Sequence, residues 1–385
     1  MRFWALLGAL IFVTSGSLTA GPAEARVGIY HWGGSYTRSV AGGVDAISAM
    51  GARVARITIS PRYQIDYHLS SSCDSNARLL DMMTSPEVKA ALDNPQIEAF
   101  IVTAFDHVGY GDCSTPAYLN PATYTPENTA AMIQEYSDLT LYLSETYQGT
   151  FKRFILSNWE SDNAVYCGAA AQFAADGAFR GQCLASYPAV FGSSGPDDSL
   201  EGLRLWFQTR ARGVQDGRLR AMAKGIRTTR VFTAPEFNIV HALRDHGFKS
   251  VLYNVIPSVP FDYISYSSYE SINVASDPGA SLAADLNLIE AVAKTPAIII
   301  GEAGFNGTLS DSVRKTNEVI QAALAWGVSY YVQWNLYNDS ATQDYGLFDV
   351  NGNLTPLGNW FESQFSGGSS PPGAWQPQRL IPGLR

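Results

Sequence analysis

The chain has 385 residues, of which 46% are hydrophobic, and its 26 Lys and Arg against 35 Asp and Glu give a net charge of −9. Its composition is that of an ordinary globular protein, and its length suits one large domain or two small ones. The acidic balance argues against nucleic acid as a partner, because phosphate binding needs clustered Lys and Arg.

The first 25 residues have the layout of a secretory signal peptide, with an early Arg, an apolar run over 3–13 and small residues at the end. The apolar run is too short to span a bilayer comfortably. We expect cleavage after Ala25, with Ala20 as a second possible site. The mature chain is then expected to be a secreted or periplasmic monomer with no membrane association.

From residue 26 onwards strands alternate with helical patterns, which predicts a parallel sheet with helices outside it. Strands are predicted at 26–32, 52–60, 97–105, 154–157, 229–235, 261–269, 296–305 and 328–337. Helices are predicted at 43–50, 86–92, 125–147, 199–225, 279–294, 310–327 and 355–365, with Thr125 and Ser310 as two of their caps. A long connection rich in Gly, Ala and Ser lies between them at 161–198.

Eight strands, each followed by a helix, predict an α/β fold of the (β/α)₈ TIM-barrel type over residues 26–366. The competing open, doubly wound sheet expects a Gly-rich phosphate turn after an early strand, and the sequence has none. Residues 367–385 have the Pro, Gly and Ser composition of a C-terminal tail.

An even number of cysteines in an exported chain predicts disulfides. The four are Cys73, Cys113, Cys167 and Cys183. We favour pairing Cys73 with Cys113 and Cys167 with Cys183, although the spacing leaves the other pairings open. It matches no zinc motif.

Two acids follow predicted strands, where a TIM barrel places its active site. Glu160 ends the fourth strand in FILSNWESDN, and Glu302 ends the seventh in IIIGEAGF. Glycosidic hydrolysis requires two carboxylates, one to protonate the leaving oxygen and one to attack the anomeric carbon or activate water. The alternative for Glu160 is a solvated loop acid, and the alternative for Glu302 is a helix cap or the partner of a core Arg. Glu236 is the rival carboxylate, which we interpret as an acid at a helix N-terminus.

These segments resemble the clan A retaining glycoside hydrolases, which are built on a (β/α)₈ barrel. IIIGEAGF resembles their nucleophile segment, and YGLFDVNGNLTPLGNWF resembles their closing segment. YYVQWNLYND resembles their eighth strand, in which Trp334 would form a sugar platform. The resemblance implies an acid/base role for Glu160 and a nucleophile role for Glu302, with no metal and no organic cofactor.

The same resemblance implies supporting residues around the nucleophile. Arg56, in VARITIS, matches the strand-two Arg that supports it. Tyr266 or Tyr269 matches the Tyr or His that orients it, and we favour Tyr266 for its position in the strand.

One position departs from the pattern of the clan, which commonly has Asn immediately before the acid/base Glu. Trp159 occupies that place and is itself expected to contact the substrate. Either Asn158 or Asn163 then contacts the sugar 2-hydroxyl, or the contact is missing. Three more residues at strand ends are expected to line the donor sugar site, with a satisfied buried histidine as the alternative for two of them. They are His31, Trp32 and His107.

The sequence therefore predicts a secreted retaining glycoside hydrolase that cleaves β-glycosidic bonds in an oligo- or polysaccharide by double displacement. A catalytically inactive barrel that binds glycans and a transglycosylase with the same residues are the alternatives. Other hydrolase classes lack their residues, because there is no DxxDxDxE run, no GxSxG and no cluster of histidines.

Overall fold

The computed structural model describes residues 26–33, 39–110, 113, 116–227, 230–273, 276–305, 309–338 and 345–366. The predicted signal peptide (1–25) and the predicted tail (367–385) lie outside these residues.

A single sheet of parallel strands, in the order β5-β4-β3-β2-β1-β9-β8-β7-β6, forms the centre of the described structure. Their apolar runs are buried on both faces, as is typical of parallel sheets. The strands are β1 (Val27–His31), β2 (Val54–Ile59), β3 (Ala99–Ala104), β4 (Arg153–Ser157), β5 (Val231–Thr233), β6 (Glu236–Phe237), β7 (Ile264–Ser267), β8 (Ile298–Ala303) and β9 (Tyr330–Gln333).

The sheet is closed into a barrel. β1 pairs with both β2 and β9, so the two ends of the order are β5 and β6, which are consecutive in the chain. Between them, Ala234 donates its N–H to β4 and Pro235 accepts a hydrogen bond from Ser265. Pro235 has no N–H for the ladder. Residues 231–237 are therefore one interrupted strand, and the barrel has the eight strand positions that the sequence predicts.

Helices cover the outside of the barrel, and the predicted cap of the long helix at 125–147 is confirmed. Thr125 Oγ1 accepts from the Asn128 N–H at 3.2 Å, and Pro126 is the first helical residue. The helix with the predicted cap Ser310 begins one residue earlier, at Leu309. The helices are α1 (Val40–Ala49), α2 (Tyr63–Asp66), α3 (Leu79–Thr84), α4 (Pro86–Asp93), α5 (His107–Tyr110), α6 (Pro126–Thr146), α7 (Ser161–Val165), α8 (Ala170–Ala175), α9 (Gly177–Val190), α10 (Pro196–Ala223), α11 (Ala242–Asp245), α12 (Val251–Asn254), α13 (Tyr269–Asn273), α14 (Pro278–Ala293), α15 (Leu309–Trp326) and α16 (Pro356–Ser366), with 3₁₀ turns at Ala117–Leu119, Pro121–Thr123 and Ile256–Ser258.

Alternation along the strands separates two apolar clusters. The larger lies between the sheet and the helices, and the smaller, which includes Tyr30, Val54 and Ile299, fills the barrel interior. On β2 this alternation gives Arg56 the inward orientation of Val54, whereas Ala55 and Ile57 face the helices.

Two features of the loops bear on the sequence predictions. The connection at 161–198 is helical and contains α7, α8 and α9, which its Gly, Ala and Ser content concealed. The structure forms the two favoured disulfides, Cys73–Cys113 and Cys167–Cys183, a bond type usual in oxidising compartments. Within the described ranges, no helix combines the length and apolarity that crossing a membrane requires.

Candidate active site

A cavity of about 1240 Å³ lies at the carboxyl ends of the strands, where the barrel fold predicts the site. Both predicted catalytic acids line it. So do residues from the loops after β2 and β3, among them Ser60, Arg62 and Tyr110, and residues of the α7–α8 region, among them Ala171 and Gln172.

Glu160 is held from two sides at the tip of β4. Its Oε1 accepts from Ser267 Oγ of β7 at 2.6 Å, and its Oε2 accepts from Asn163 Nδ2 of α7 at 2.6 Å. The side chain is 6% exposed. Arg210 of α10 donates to the carbonyl oxygens of Leu156 and Ser157, which fixes the strand just before this acid.

Glu302 reaches the cavity because β8 is irregular there. The register of β8 shifts between Ile300 and Ala303, and such a bulge re-aims the side chain at its centre. Tyr269 donates its hydroxyl to Glu302 Oε1 at 3.1 Å. Glu302 Oε2 has no hydrogen-bond partner among the described residues. One oxygen is thus fixed, and the other is unoccupied by the protein.

Burial raises the pKa of both carboxyls. For Glu160, the hydrogen bonds from Ser267 and Asn163 partly oppose that rise. For Glu302, burial and then the neighbouring Glu160 raise the pKa well above its usual range, while Arg56 opposes the rise. Burial and the charge of Glu160 therefore favour the protonated form of Glu302, and the positive charge of Arg56 favours its ionised form.

Arg56 and Glu236 form an ion pair with both side chains fully buried, at 2.7 Å between Nη1 and Oε2. Our interpretation of Glu236 as an acid at a helix N-terminus is wrong. It lies on β6 inside the barrel, where Ser265 Oγ also donates to its carboxylate. Among the described residues Arg56 has no hydrogen bond to Glu302, and donates instead to the carbonyl oxygen of Gly301, one residue before it.

Three tryptophans line the cavity, all of them predicted as substrate contacts. Trp334 lies 6.1 Å from Trp32 between ring centroids, and its edge meets Tyr30. Trp159 is 38% exposed beside Glu160. Partly exposed aromatic faces around a pair of acids provide flat apolar surfaces against which a sugar ring can lie.

The two candidate asparagines have different environments. Asn158 is buried and does not line the cavity, because its side chain bonds Ser161 Oγ, the Glu236 carbonyl oxygen and the Glu236 N–H. Asn163 lines the cavity and bonds Glu160 directly. Asn158 is therefore a structural residue here, and Asn163 is the asparagine in position to meet a ligand.

Three other predicted site residues lie elsewhere. Tyr266 faces the helices, because alternation on β7 turns Ser265 and Ser267 inward, and its hydroxyl bonds Ser271 at 2.6 Å. The preference for Tyr266 was wrong, since Tyr269 is the tyrosine that contacts Glu302.

The two histidines also lie away from the cavity. His31 is fully buried against Tyr67 and Tyr337, and burial lowers its pKa to about 4. His107 pairs with Glu135 of α6 at 2.5 Å. Both are structural histidines outside the cavity: His31 Nε2 bonds the Ser39 carbonyl oxygen at 3.0 Å, while its buried Nδ1 has no hydrogen-bond partner among the described residues.

Sequence reasoning missed the residues that hold the acids in place. Ser267 belongs to no recognised motif. Because side chains alternate along a strand, however, Ser265 and Ser267 lie on the same side of β7, and this polar side could have been predicted to face the barrel interior. Glu236 was seen and misplaced, because Pro235 made the strand look finished. Tyr30, Asn238 and Tyr345 also line the cavity and had no sequence signal.

Both disulfides lie beside the cavity. Cys167–Cys183 links the loop after α7 to α9, next to the lining residues Gly168 and Ala169. Cys73–Cys113 joins the loops after β2 and β3. In the part of the chain that is described, no three His, Cys, Asp or Glu side chains gather as a metal site would require.

No protein-family model matches the chain, and no curated protein sequence matches it. Solved structures do. The GH5_18 enzyme from Streptomyces cattleya, solved with Manβ1-4GlcNAc, has a TM-score of 0.55 at 14% identity, over 90% of this chain and 82% of that one. The AHE enzyme from Alicyclobacillus herbarius has a TM-score of 0.57 at 11% identity, over 93% and 100%.

A rice β-glucosidase, solved in a covalent complex with glucose, has a TM-score of 0.53 at 11% identity, over 84% of this chain and 86% of that one. Likeness at such low identity establishes the fold. The protein is thus a TIM barrel of the kind found in clan A glycoside hydrolases of families GH5 and GH1.

Proposed function

We propose that the protein is a retaining glycoside hydrolase that cleaves β-glycosidic bonds in an oligo- or polysaccharide. One observation carries the proposal: Glu160 and Glu302, at the ends of β4 and β8, line one cavity and are each held by hydrogen-bond donors from neighbouring elements. Paired carboxyls across a cleft are the machinery of glycoside hydrolysis.

In the first step Glu302 Oε2 attacks the anomeric carbon while Glu160 donates its proton to the departing glycosidic oxygen. The bond to the leaving group breaks, and a glycosyl ester forms on Glu302. Glu160, now a carboxylate, takes a proton from water, whose oxygen attacks the same carbon. The ester bond breaks, and both residues return to their starting states with net retention.

The hydrogen bonds of Glu302 and the burial of Glu160 support this division of roles. Burial raises the pKa of Glu160, which favours the protonated form that a general acid requires. Glu302 accepts from Tyr269 on one oxygen and keeps the other free of protein contacts. The reactive state has Glu302 ionised and Glu160 protonated, and it forms against the raised pKa of Glu302, which Arg56 and the Tyr269 hydroxyl partly lower.

The structural neighbours guide the choice of substrates. One was solved with Manβ1-4GlcNAc and another carries covalently bound glucose, so β-mannosides and β-glucosides come first. We also propose that residues 1–25 are removed on export, that the mature chain acts outside the cytoplasm as a monomer, and that residues 26–366 form the catalytic domain.

The test is hydrolysis of aryl β-mannosides, aryl β-glucosides and the matching polysaccharides by the purified mature chain. Glu160→Gln and Glu302→Gln should each lose activity by at least about 10²-fold, the usual share of one acid or base. Glu135→Gln is the matched control, because this buried acid pairs with His107 outside the cavity. It should retain activity.

Azide assigns the roles. With activated substrates, Glu160→Ala should give a glycosyl azide of retained configuration, and Glu302→Ala one of inverted configuration. Activity that survives both Gln substitutions would refute the proposal. Glycan binding without turnover would indicate the inactive barrel, and transfer to sugar acceptors in preference to water would indicate a transglycosylase.

A further inference from the structure

The Arg56–Glu236 pair lies beneath the cavity and has no evident part in forming its walls. Neither residue is exposed, and neither lines the cavity. Buried ion pairs contribute little net stability compared with well-packed apolar residues, because their desolvation cost is large. A fully buried pair between the two acid-bearing strands therefore needs a reason other than stability.

The pair is bonded to the backbone beside both acids. Arg56 donates to the carbonyl oxygen of Gly301 at 2.8 Å and to that of Asn158 at 2.9 Å. Glu236 Oε1 accepts the backbone N–H of Glu160 at 3.2 Å. One ion pair thus connects the ends of β4 and β8, the two strands that carry the acids.

Gly301 shows how closely the pair fits against β8. A Cβ at this position would lie 2.2 Å from Glu236 Oε2 and 2.9 Å from Arg56 Nη1. The bare backbone lets the two charges reach the strand directly beside Glu302, which accounts for the glycine in IIIGEAGF.

We propose that Glu236 is a positioning residue of the reaction, which holds the ends of β4 and β8 together through Arg56 and offsets the positive charge of Arg56 beneath the two acids. This inference rests on the proposed function. It assigns a third carboxylate to the site, one that acts through Arg56 and the backbone without touching the substrate.

The charges around the two acids indicate what Glu236 changes. Arg56 lowers the pKa of both Glu160 and Glu302, whereas Glu236 raises both, and burial exceeds either effect. Tyr269, beside Glu302, and the buried Tyr30, over which the Arg56 guanidinium lies, are the other titratable groups nearby. If the negative charge of Glu236 were removed, the positive charge of Arg56 would no longer be offset, and the pKa values of Glu160 and Glu302 would both fall.

Glu236→Gln separates charge from position, because Gln keeps an oxygen for the Glu160 N–H and for Arg56. Both limbs of the pH profile of kcat/KM should move to lower pH by about one unit, as expected when a nearby charge is uncovered. KM should be unchanged. The carboxyl-carbon NMR titrations of Glu160 and Glu302 should move in the same direction, and this readout does not depend on turnover.

The double substitution Arg56→Leu with Glu236→Leu removes the bonds together with both charges. Apolar replacement of a buried pair is usually tolerated, so this variant decides the question if the Gln variant does not fold. We expect both limbs of the pH profile of kcat/KM to lie near those of the wild type, since both charges are removed. We expect kcat to fall about 10²-fold, as for a displaced catalytic group. Glu135→Gln is again the matched control and should leave the limbs in place.

Two results would overturn the inference: unmoved limbs and carboxyl titrations in Glu236→Gln, or full kcat in the folded double variant. Failure of the proposed function looks different. In that case Glu160→Gln and Glu302→Gln would keep their activity, while the NMR titrations would still report whether Glu236 offsets the charge of Arg56.

Discussion

Tyr269 is the residue whose side chain donates a hydrogen bond to the Glu302 carboxylate. Its hydroxyl donates to Oε1 at 3.1 Å, and this bond lowers the pKa of Glu302 against the effect of burial. Tyr269 is the second residue after β7 and begins α13. A side chain just beyond the end of a strand can reach the strand-end acid of the neighbouring strand, whereas one within the strand faces either the helices or the interior.

Tyr269→Phe should therefore raise the pKa of Glu302 further and move the acidic limb of the pH profile to higher pH. We expect kcat to fall about 10²-fold, the lower end of the range for losing one charge-stabilising donor. The measurement is kcat/KM against pH. Tyr266→Phe is the matched control, since its hydroxyl bonds Ser271 outside the barrel, and a moved limb there would contradict this assignment.

The raised pKa of Glu302 should also destabilise the folded protein as the pH increases. The folded pKa of Glu302 is raised well above the unfolded value of about 4.5. Between those two pH values the unfolded chain is ionised and the folded chain keeps its proton. The free energy of unfolding then falls by about 1.4 kcal/mol for each pH unit.

Glu302→Gln cannot ionise and should escape this loss. Its melting temperature should match that of the wild type near pH 4 and exceed it increasingly towards pH 7, as measured by thermal denaturation across pH. Glu201→Gln on α10 is the control, because Arg204 lowers the pKa of Glu201. A Glu302→Gln variant whose gain in melting temperature over the wild type is no larger at pH 7 than at pH 4 would refute the raised pKa.

At the scale of elements, the structured connection α7–α9 forms one wall of the cavity. Gln172 and Ala171 of α8 line it, and Cys167–Cys183 ties α9 to the loop before α8. A disulfide that closes a loop of this length stabilises a protein by about 3 kcal/mol. This wall should therefore lose order when the disulfide is removed.

Replacing Cys167 and Cys183 together by Ala should raise KM for oligosaccharides several-fold and KM for aryl glycosides less, because a longer substrate contacts more of the cavity wall. Steady-state kinetics on both substrate types test this. The matched control replaces Cys73 and Cys113, which tie the loops after β2 and β3. Equal losses on short and long substrates in the Cys167/Cys183 variant would contradict the wall assignment.

The elements also show how far sequence reasoning reached. The hydrophobic periodicity and the continuous apolar runs of the sequence predicted the strand positions, because parallel strands that are buried on both faces consist of continuous apolar residues. The same signal missed α7 to α9, whose small residues lack a strong apolar period. It also placed Glu236 on a helix, because a Pro within a strand is read locally as a terminator, whereas pairing on both sides continues the strand.

On the scale of the whole molecule, the predicted α/β barrel is confirmed, and both acids lie where strand ends place them. The remaining site residues depend on side-chain orientation, which single-sequence patterns do not contain. His31 and Tyr266 were chosen for lying near strand ends, yet both face the helices. The alternation of side chains along β1 and β7 would have distinguished these two residues from Tyr30 and Ser267, which face the barrel interior.

The interruption at Pro235 divides the chain into two arcs, and the two acids lie on different arcs. Glu160 belongs to the first arc, yet Ser267 of the second holds it. Arg56 of the first arc meets Glu236 and Gly301 of the second. Each arc alone therefore contains only one of the two acids and lacks the contacts between the arcs that hold them. A nascent or half-folded chain should therefore have no hydrolytic activity. During refolding, the time at which activity first appears would measure when the two arcs join to close the barrel.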